Sequence, residues 1–372
     1  MNIPDDILFP ILSISPVKCL LRFMCVSKSW NSLIASSAFI AAHHHYNQVN
    51  RNDNDKNSYL LYMPINDLKN PSQVCTILRE NNDAPPSSVK HGGLVLPLSK
   101  YNVVGVCEGL ICLTKEHSHN IISHIYIWNP LVGTLKLVTP SETVVFGFGS
   151  DKNDYRIIKI IYHGKCLHEV EIYSLTTDSW RRIECKPAKW WWINFQSIGV
   201  FLEGSIYWLS WTCAGYWESH LILRFDLDEE IFEEMVAPPS SNICKRKELA
   251  MVNGFLVLLE AIDMWEGSAR AWVKKGSLWI YTEEFVLPAG ERNPRFMQPK
   301  KSGHLVFATT EDDGRATQDR RVFACDYNIF NGWTLREMKI SWTMTMFDLV
   351  RVRETLFLLN EQHKNGYKFS DA

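Results

Sequence analysis

VVGVCEGLICL, residues 103–113, contains a glycine-led apolar run that starts at Gly109. A turn signal followed by a few branched and aromatic residues is how a buried strand is written. The phrase returns along the chain. GLICLT at 109 is followed by YRIIKII at 155, GSIYWLS at 204, GFLVLLE at 254, GHLVFAT at 303 and TLFLLN at 355. A second phrase keeps step with it, a hairpin carrying an aromatic anchor: IYIWNPLVGTLKLV, EIYSLTTDSWRRIE, RFDLDEEIFEEMV and ACDYNIFNGWTLREM.

Copies lie about fifty residues apart, with several short strands in each unit, which is the range of kelch-type propeller blades. A β-sandwich has similar strand spacing but needs no such beat. On the propeller reading Trp180, Phe232 and Trp333 pack between sheets. The polar stretches RENNDAPPSSVKHGG (79–93) and EDDGRATQDRR (311–321) become inter-strand loops, where binding specificity resides.

Composition sets the outer bounds. The 372 residues are 46% hydrophobic and 22% charged, a globular balance, and 14 Trp, 13 Tyr and 18 Phe make a heavy aromatic load. A formal net charge of -2 gives no general attraction to nucleic acid or anionic lipid. The 10 cysteines are irregularly spaced and sit mostly inside apolar runs, where a free thiol behaves as a small hydrophobe. The opening MNIPDD is acidic, unlike a signal peptide. A reducing compartment, cytoplasm or nucleus, is expected, with no membrane span and no cofactor.

The grammar changes near residue 46. Before it the pattern is helical: Pro4 ahead of DDILFPIL, Pro16 opening VKCLLRFM, Ser27 capping KSWNSLIAS and Ser37 leading into AFIAAHHH. Within SPVKCLLRFMCVSKSW (15–30), Val17, Leu20, Leu21 and Met24 fall on one face of a helical wheel, while Cys19 and Phe23 fall nearly opposite. A surface helix hides one stripe, and this one has about twice that to hide. A second chain covering the other face is the expectation.

IPDDILFPILSISPVKCLLRFMCVSKSWNSLIASSAFIAAH (3–43) resembles the F-box motif: a hydrophobic-Pro start, an acidic pair, a Pro-led second helix, Val-Ser-Lys-x-Trp and a closing Phe before His. The resemblance implies docking onto a Skp-type adaptor and, through it, a cullin. The contacts it implies are Pro4, Ile7, Leu8, Leu12, Pro16, Val17, Leu20, Leu21, Cys25, Val26 and Trp30. Pro10 inside the first helix and Ser15 before the second-helix proline depart from the pattern. From about 100 to 360, VVGVCEGLICL, IYIWNP, FGFGSDKNDYRIIKI, EVEIYSLTTDSWRRIE and FEEMVAPP resemble the F-box-associated region of a large plant family, especially its S-locus branch. That branch implies a pistil ribonuclease as the protein target.

The fold class expected is therefore a small all-α F-box of three to four short helices (1–46), a polar linker (47–58) and an all-β, propeller-like target-binding domain (59–372). Other candidates for chemistry are weak. The run His43, His44, His45 reads as a solvated helix end, because metal-binding pairs lie at i and i+4. GFGSDK (147–152) lacks the Gly-Lys-Ser/Thr ending of a phosphate loop and reads as a turn. No nucleophile elbow or zincin motif occurs. Three consecutive tryptophans, Trp190, Trp191 and Trp192, cannot share one strand face and are candidate target contacts. So are the carboxylates Glu229, Glu230 and Glu233. The function the F-box resemblance implies is recruitment of a protein target for ubiquitination by a chain with no catalytic residue of its own. The alternatives are an adaptor-tethered binding protein without a ligase role and a kelch-type copper oxidoreductase.

Overall fold

The structure is a computed structural model. It describes residues 5–49, 58–64, 73–78, 94–96, 101–117, 121–138, 145–151, 154–163, 166–184, 192–193, 199–214, 217–238, 246–252, 254–263, 268–281, 285–286, 291–297, 304–311, 320–328, 332–338 and 347–361.

Four helices come first: α1 (Asp5–Ser13), α2 (Val17–Phe23), α3 (Lys28–Ile34) and α4 (Ser37–Val49). The start of α3 follows its cap residue, since Ser27 Oγ accepts the Trp30 backbone N–H at 3.1 Å. At α4 the cap is Ser36, not Ser37: Ser36 Oγ accepts from the Phe39 N–H at 3.2 Å. Pro10 lies inside α1 without ending it, on the exposed side. Helix α4 continues to Val49, past the expected boundary at 46, and the first strand opens at Ser58.

Among the described residues the strands form six antiparallel sheets, each a meander of four strands with short additions in the fourth and fifth. The second sheet runs Tyr101–Cys107, Leu110–His117, Ile121–Asn129 and Thr134–Val138, and the third Val145–Asp151, Asp154–His163, Cys166–Ser174 and Ser179–Ile183. The fourth is built on Val200–Leu202, Ser205–Ala214, Trp217–Asp226 and Ile231–Val236, with Trp192–Ile193 at its edge. The fifth runs Arg246–Val252, Phe255–Asp263, Ser268–Lys275 and Leu278–Tyr281, and the sixth Glu291–Met297, His304–Glu311, Arg320–Asn328 and Gly332–Met338. The first sheet joins the ends of the β-domain: Phe347–Arg353 pairs with Ser58–Pro64, followed by Gln73–Leu78 and Leu94–Leu96.

The leading strands of neighbouring sheets pack on one another. Phe347–Arg353 meets Tyr101–Cys107, which meets Val145–Asp151, and the sixth sheet's Glu291–Met297 packs back onto Phe347–Arg353. This is the blade order of a propeller whose C-terminal strand completes the blade begun by the N-terminal one.

The recurring glycine has a backbone cause. Glu108 and Gly109 take φ of 46° and 89°, and Glu203 and Gly204 take 48° and 74°. Two consecutive positive φ values are the two-residue hairpin turn whose twist matches the strands it joins. Thus "Glu-Gly then apolar run" is the first hairpin of a blade. Gly147 plays a different part. GFG is not a turn but lies within the strand Val145–Asp151, and a side chain at Gly147 would collide with the Trp208 ring of the next blade.

Trp180 packs on Tyr173 at 5.3 Å between ring centres and lies under the Lys159 ammonium, while Phe232 packs on Phe225 and Trp208. Both are core aromatics. Trp333 is placed opposite Tyr327 in its hairpin. The stretches 79–93 and 312–319 lie outside the described residues.

TLFLLN departs from its sisters. The strand ends at Arg353, residues 354–358 turn, and Leu359–Glu361 forms a short 3-10 helix. Leu356 and Leu359 meet the helices, while Leu358 packs against the core of the second and third sheets.

Candidate functional site: the helical face and its seat on the sheets

One apolar core spans both parts of the chain. Leu8 and Leu12 of α1, Val17 and Leu20 of α2, Ile34 of α3 and Phe39 and Ile40 of α4 are buried together with Val132, Leu356 and Leu359. Val132 comes from the IYIWNPLVG hairpin, and the two leucines come from the C-terminal turn. Asn129 holds these pieces in place. Its buried amide donates to the Thr355 carbonyl at 2.9 Å and the Phe357 carbonyl at 2.8 Å, while its side-chain oxygen accepts from Leu131 N and Val132 N. Every hydrogen-bonding direction of one amide is thereby used.

The same C-terminal turn caps α2. Pro16 offers the helix no side-chain cap, and the Val17 N–H donates instead to the Glu354 carboxylate at 2.8 Å. A carboxylate at a helix N-terminus is favoured by the partial positive charge there. Asn360 adds a donation to the Ala35 carbonyl at the end of α3, at 3.0 Å.

His43 and His44 belong to this joint, which corrects the expectation of a solvated helix end; only His45 of the three is exposed. His43 Nε2 lies 3.0 Å from the Ser15 carbonyl, and Asn47 Nδ2 reaches His43 Nδ1 at 3.4 Å. A carbonyl only accepts, so Nε2 carries the proton and Nδ1 is the acceptor: the ring is neutral. Burial lowers the His43 pKa below 6.5, against the opposing pull of the Ser15 carbonyl. His44 sits edge-on against Phe357 at 4.9 Å and near Tyr155, which itself packs on Phe357 at 4.8 Å. Ser15, a departure from the motif, therefore contributes its backbone to the joint.

With the core defined, the expected adaptor contacts divide. Leu8, Leu12, Val17 and Leu20 are sealed inside the chain, with Leu20 at 0% exposure. That is a correction for those four residues, while the second face of α2 is only partly covered by this polypeptide: Phe23 packs edge-on against Trp30 at 5.6 Å and, like Cys19, Leu21 and Met24, is half-buried. A fully buried leucine offers no surface to a partner. Pro4 lies outside the described residues. Ile7, Pro16, Cys25 and Val26 are exposed, and Leu21 and Trp30 are half-buried.

The surplus apolar surface lies on α1 and the turn that follows it instead. Ile7, Ile11 and Ile14 are 56%, 53% and 59% exposed, at i, i+4 and i+7, and Val26 is 65% exposed in the turn between α2 and α3. Ile11 and Ile14 were not among the expected contacts. Their signal was in DDILFPILSI, where a second apolar stripe runs beside the Leu8 and Leu12 face.

The β-domain candidates fare differently. Trp190 and Trp191 lie outside the described residues; Trp192 is placed in a short strand opposite Trp211. Glu230 is occupied, with its carboxylate paired with Arg181 and Arg156 of the preceding blade. Glu233 pairs with Arg224 on its own sheet. Only Glu229 remains an exposed acid with no recorded side-chain partner, so the acidic strip is largely neutralised and Glu230 serves the contact between blades.

No group of His, Cys, Asp and Glu able to hold a metal occurs among the described residues. Cys19, Cys25, Cys75, Cys107 and Cys112 are free thiols, and burial pushes the Cys75 thiol up to about 12. Among the described residues no helix is long and apolar enough to cross a membrane.

Comparison with known families matches residues 1–41 to the F-box domain and residues 67–278 to the F-box associated beta propeller domain. The chain belongs to the F-box-associated β-propeller family. Among its relatives in Arabidopsis thaliana, an F-box/kelch-repeat protein is 26% identical over 302 residues, covering 77% of this chain and 80% of that protein. The putative F-box only protein 15 is 27% identical over 254 residues, covering 64% of this chain but 60% of its own length. A crystal structure of TolB from Acinetobacter baumannii aligns with 84% of this chain and 73% of its own at a TM-score of 0.46 and 12% identity.

These relatives are Arabidopsis F-box and F-box/kelch proteins, and they do not show membership of the S-locus branch. The phrases that suggested that branch are spent on the scaffold. Asn129 of IYIWNP ties the C-terminal turn, Tyr155 of NDYRIIKI donates to the Glu108 carbonyl at 3.1 Å, and Arg156 reaches the Leu227 carbonyl of the next blade at 2.5 Å. Residues so used specify blades rather than a target.

Proposed function

We propose that this protein is the target-binding subunit of a Skp–cullin–F-box ubiquitin ligase. Its F-box docks on a Skp-type adaptor and so joins a cullin, and its propeller presents a bound protein target. The chain contributes no bond-making group. Its work is to raise the local concentration of target lysines near the charged enzyme. It acts in the cytoplasm or nucleus, where that machinery is found.

The observation that carries this reading is the exposed isoleucine stripe on a helix whose opposite face is locked to the propeller. Fully burying one such side chain contributes about 1.5–3 kcal/mol. Four that are already half-covered, Ile7, Ile11, Ile14 and Val26, supply roughly 3–7 kcal/mol. Micromolar binding needs about 8 kcal/mol beyond the costs of association. The half-buried Leu21, Met24 and Trp30 and polar contacts at the rim therefore complete the interface.

Ile7→Asp with Ile11→Asp should abolish adaptor pull-down and leave the melting temperature within a degree or two of wild type. Adaptor capture at wild-type strength by that variant would remove α1 from the interface. Target half-life measured with and without the protein separates a degradative receptor from a tether.

A further inference from the structure

Among the described residues, the fifth blade ends in a strand with no neighbour on its outer side. Its outer hairpin pairs Val273 with Ile280, Lys274 with Trp279 and Lys275 with Leu278, and no described strand pairs with the far side of Leu278–Tyr281. Edge strands are normally blunted by proline, by a bulge or by charge on the strand itself. LWIY has none of these. Leu278 is 69% exposed, and Ile280, Tyr281, Phe255 and Val236 of the adjoining strand ends are exposed as well.

The hairpin is held stiffly from behind. Buried Glu260 accepts from Arg270 Nε at 2.6 Å and from the Trp272 indole at 2.9 Å, Trp272 packs on Tyr281 at 5.1 Å, and the Trp279 indole donates to the Val236 carbonyl at 3.1 Å.

One ammonium group lies on each face of the hairpin, because consecutive strand residues point to opposite sides. Lys274 Nζ sits 5.8 Å from the centre of the Trp279 ring, and Lys275 Nζ sits 5.9 Å from that of Phe255. Neither lysine forms an ion pair with a described acid. A second copy of the chain pairing edge to edge would set these lysines against their own images, which is unfavourable. An incoming strand that carries a carboxylate on each face among apolar side chains meets both features at once: backbone bonds and apolar contacts along 278–281, and one cation on either side of the sheet.

The geometry points to Leu278–Tyr281 as a strand-addition site for an extended acidic–apolar segment of a partner protein. As an account of how a target is gripped, it rests on the receptor reading above; as a binding site, it stands on these contacts alone. Blade five lies three places around the ring from blade two, whose Val132 seats the F-box, so this edge is on the opposite side of the propeller from the helices.

The test uses the full chain and two fluorescein-labelled octapeptides, one in which Asp-Asp pairs, with a carboxylate on each strand face, are separated by Val and Leu, and the other with Lys in place of Asp, titrated by fluorescence anisotropy. The acidic peptide should bind at least tenfold more tightly than the basic one. Leu278→Asp should weaken it tenfold or more, and Lys274→Glu with Lys275→Glu should reverse the preference. Equal binding of the two peptides, or acidic binding untouched by Leu278→Asp, overturns the assignment. So does a concentration-dependent dimer that Leu278→Asp dissolves. Ile7→Asp serves as the independent control. It should keep peptide binding while losing the adaptor, and a wild-type chain that binds the peptide but no adaptor would sink the receptor reading and leave this site standing.

Discussion

His43 shows how much one side chain can be asked to do at a joint between two kinds of structure. Its ring is neutral because one nitrogen must donate to the Ser15 carbonyl and the other accepts from Asn47. Burial among Phe39 and the helices lowers its pKa below 6.5. The unfolded chain, free of that burial, takes up a proton near the ordinary value while the folded chain does not. The contribution to stability is therefore present above pH 6.5 and is lost as pH falls through the lowered value. A lower urea midpoint at pH 5.5 than at pH 7.5 is expected. A His43→Gln variant, which can still donate to Ser15, should flatten the slope when urea midpoints are compared at the two pH values. An unchanged slope would mean that another group titrates there. Nothing in AAHHHYN distinguishes His43 or His44 from the exposed His45. Which of three adjacent rings turns inward depends on where α4 lies against Phe357 and Tyr155, residues more than a hundred positions away.

The four helices are too short to hold themselves together, and the C-terminal turn supplies what they lack. Glu354 caps α2, Leu356 and Leu359 fill its buried face, and Asn360 ties α3. Ending the chain after Arg353 should raise amide exchange throughout 5–49 by tenfold or more while leaving the second and third sheets protected. Hydrogen exchange by mass spectrometry reads both at once, and retained protection of α2 would show that the F-box folds without its seat. The two faces of the helices should also respond differently to the same chemistry. Leu20→Asp puts a carboxylate into a closed core and should cost about 3–5 kcal/mol. Ile11→Asp, at an exposed position, should cost less than about 0.5 kcal/mol. Denaturant unfolding distinguishes them. The amphipathic wheel found the excess apolar surface in α2 but assigned its cover to a second chain. Periodicity reports that a face is buried without saying by what.

Neighbouring blades are joined by packing and by a few polar clamps, of which Arg156 makes the largest number of contacts. From the third blade it donates to the Leu227 carbonyl at 2.5 Å and pairs with Glu230, both in the fourth blade's turn, while Asp151 and Asp154 neutralise it from its own hairpin. Arg156→Ala leaves a half-buried carbonyl and carboxylates without that partner and should destabilise the β-domain by about 2–3 kcal/mol, read as a lower urea midpoint at unchanged slope. A shift below about 0.5 kcal/mol would make the clamp incidental and leave packing alone to hold the blades. By itself the sequence determined the blade repeat, the Glu-Gly hairpins, the capped helices and the F-box, because turn chemistry and hydrophobic period act between near neighbours in the chain. Only the tertiary structure decided that TLFLLN leaves the sheet to seal the helices, that Glu230 is committed to Arg156 and Arg181, and that the free apolar stripe lies on α1 instead of α2. Each of those depends on which distant surface arrives to cover a given face, and no local pattern encodes that arrival.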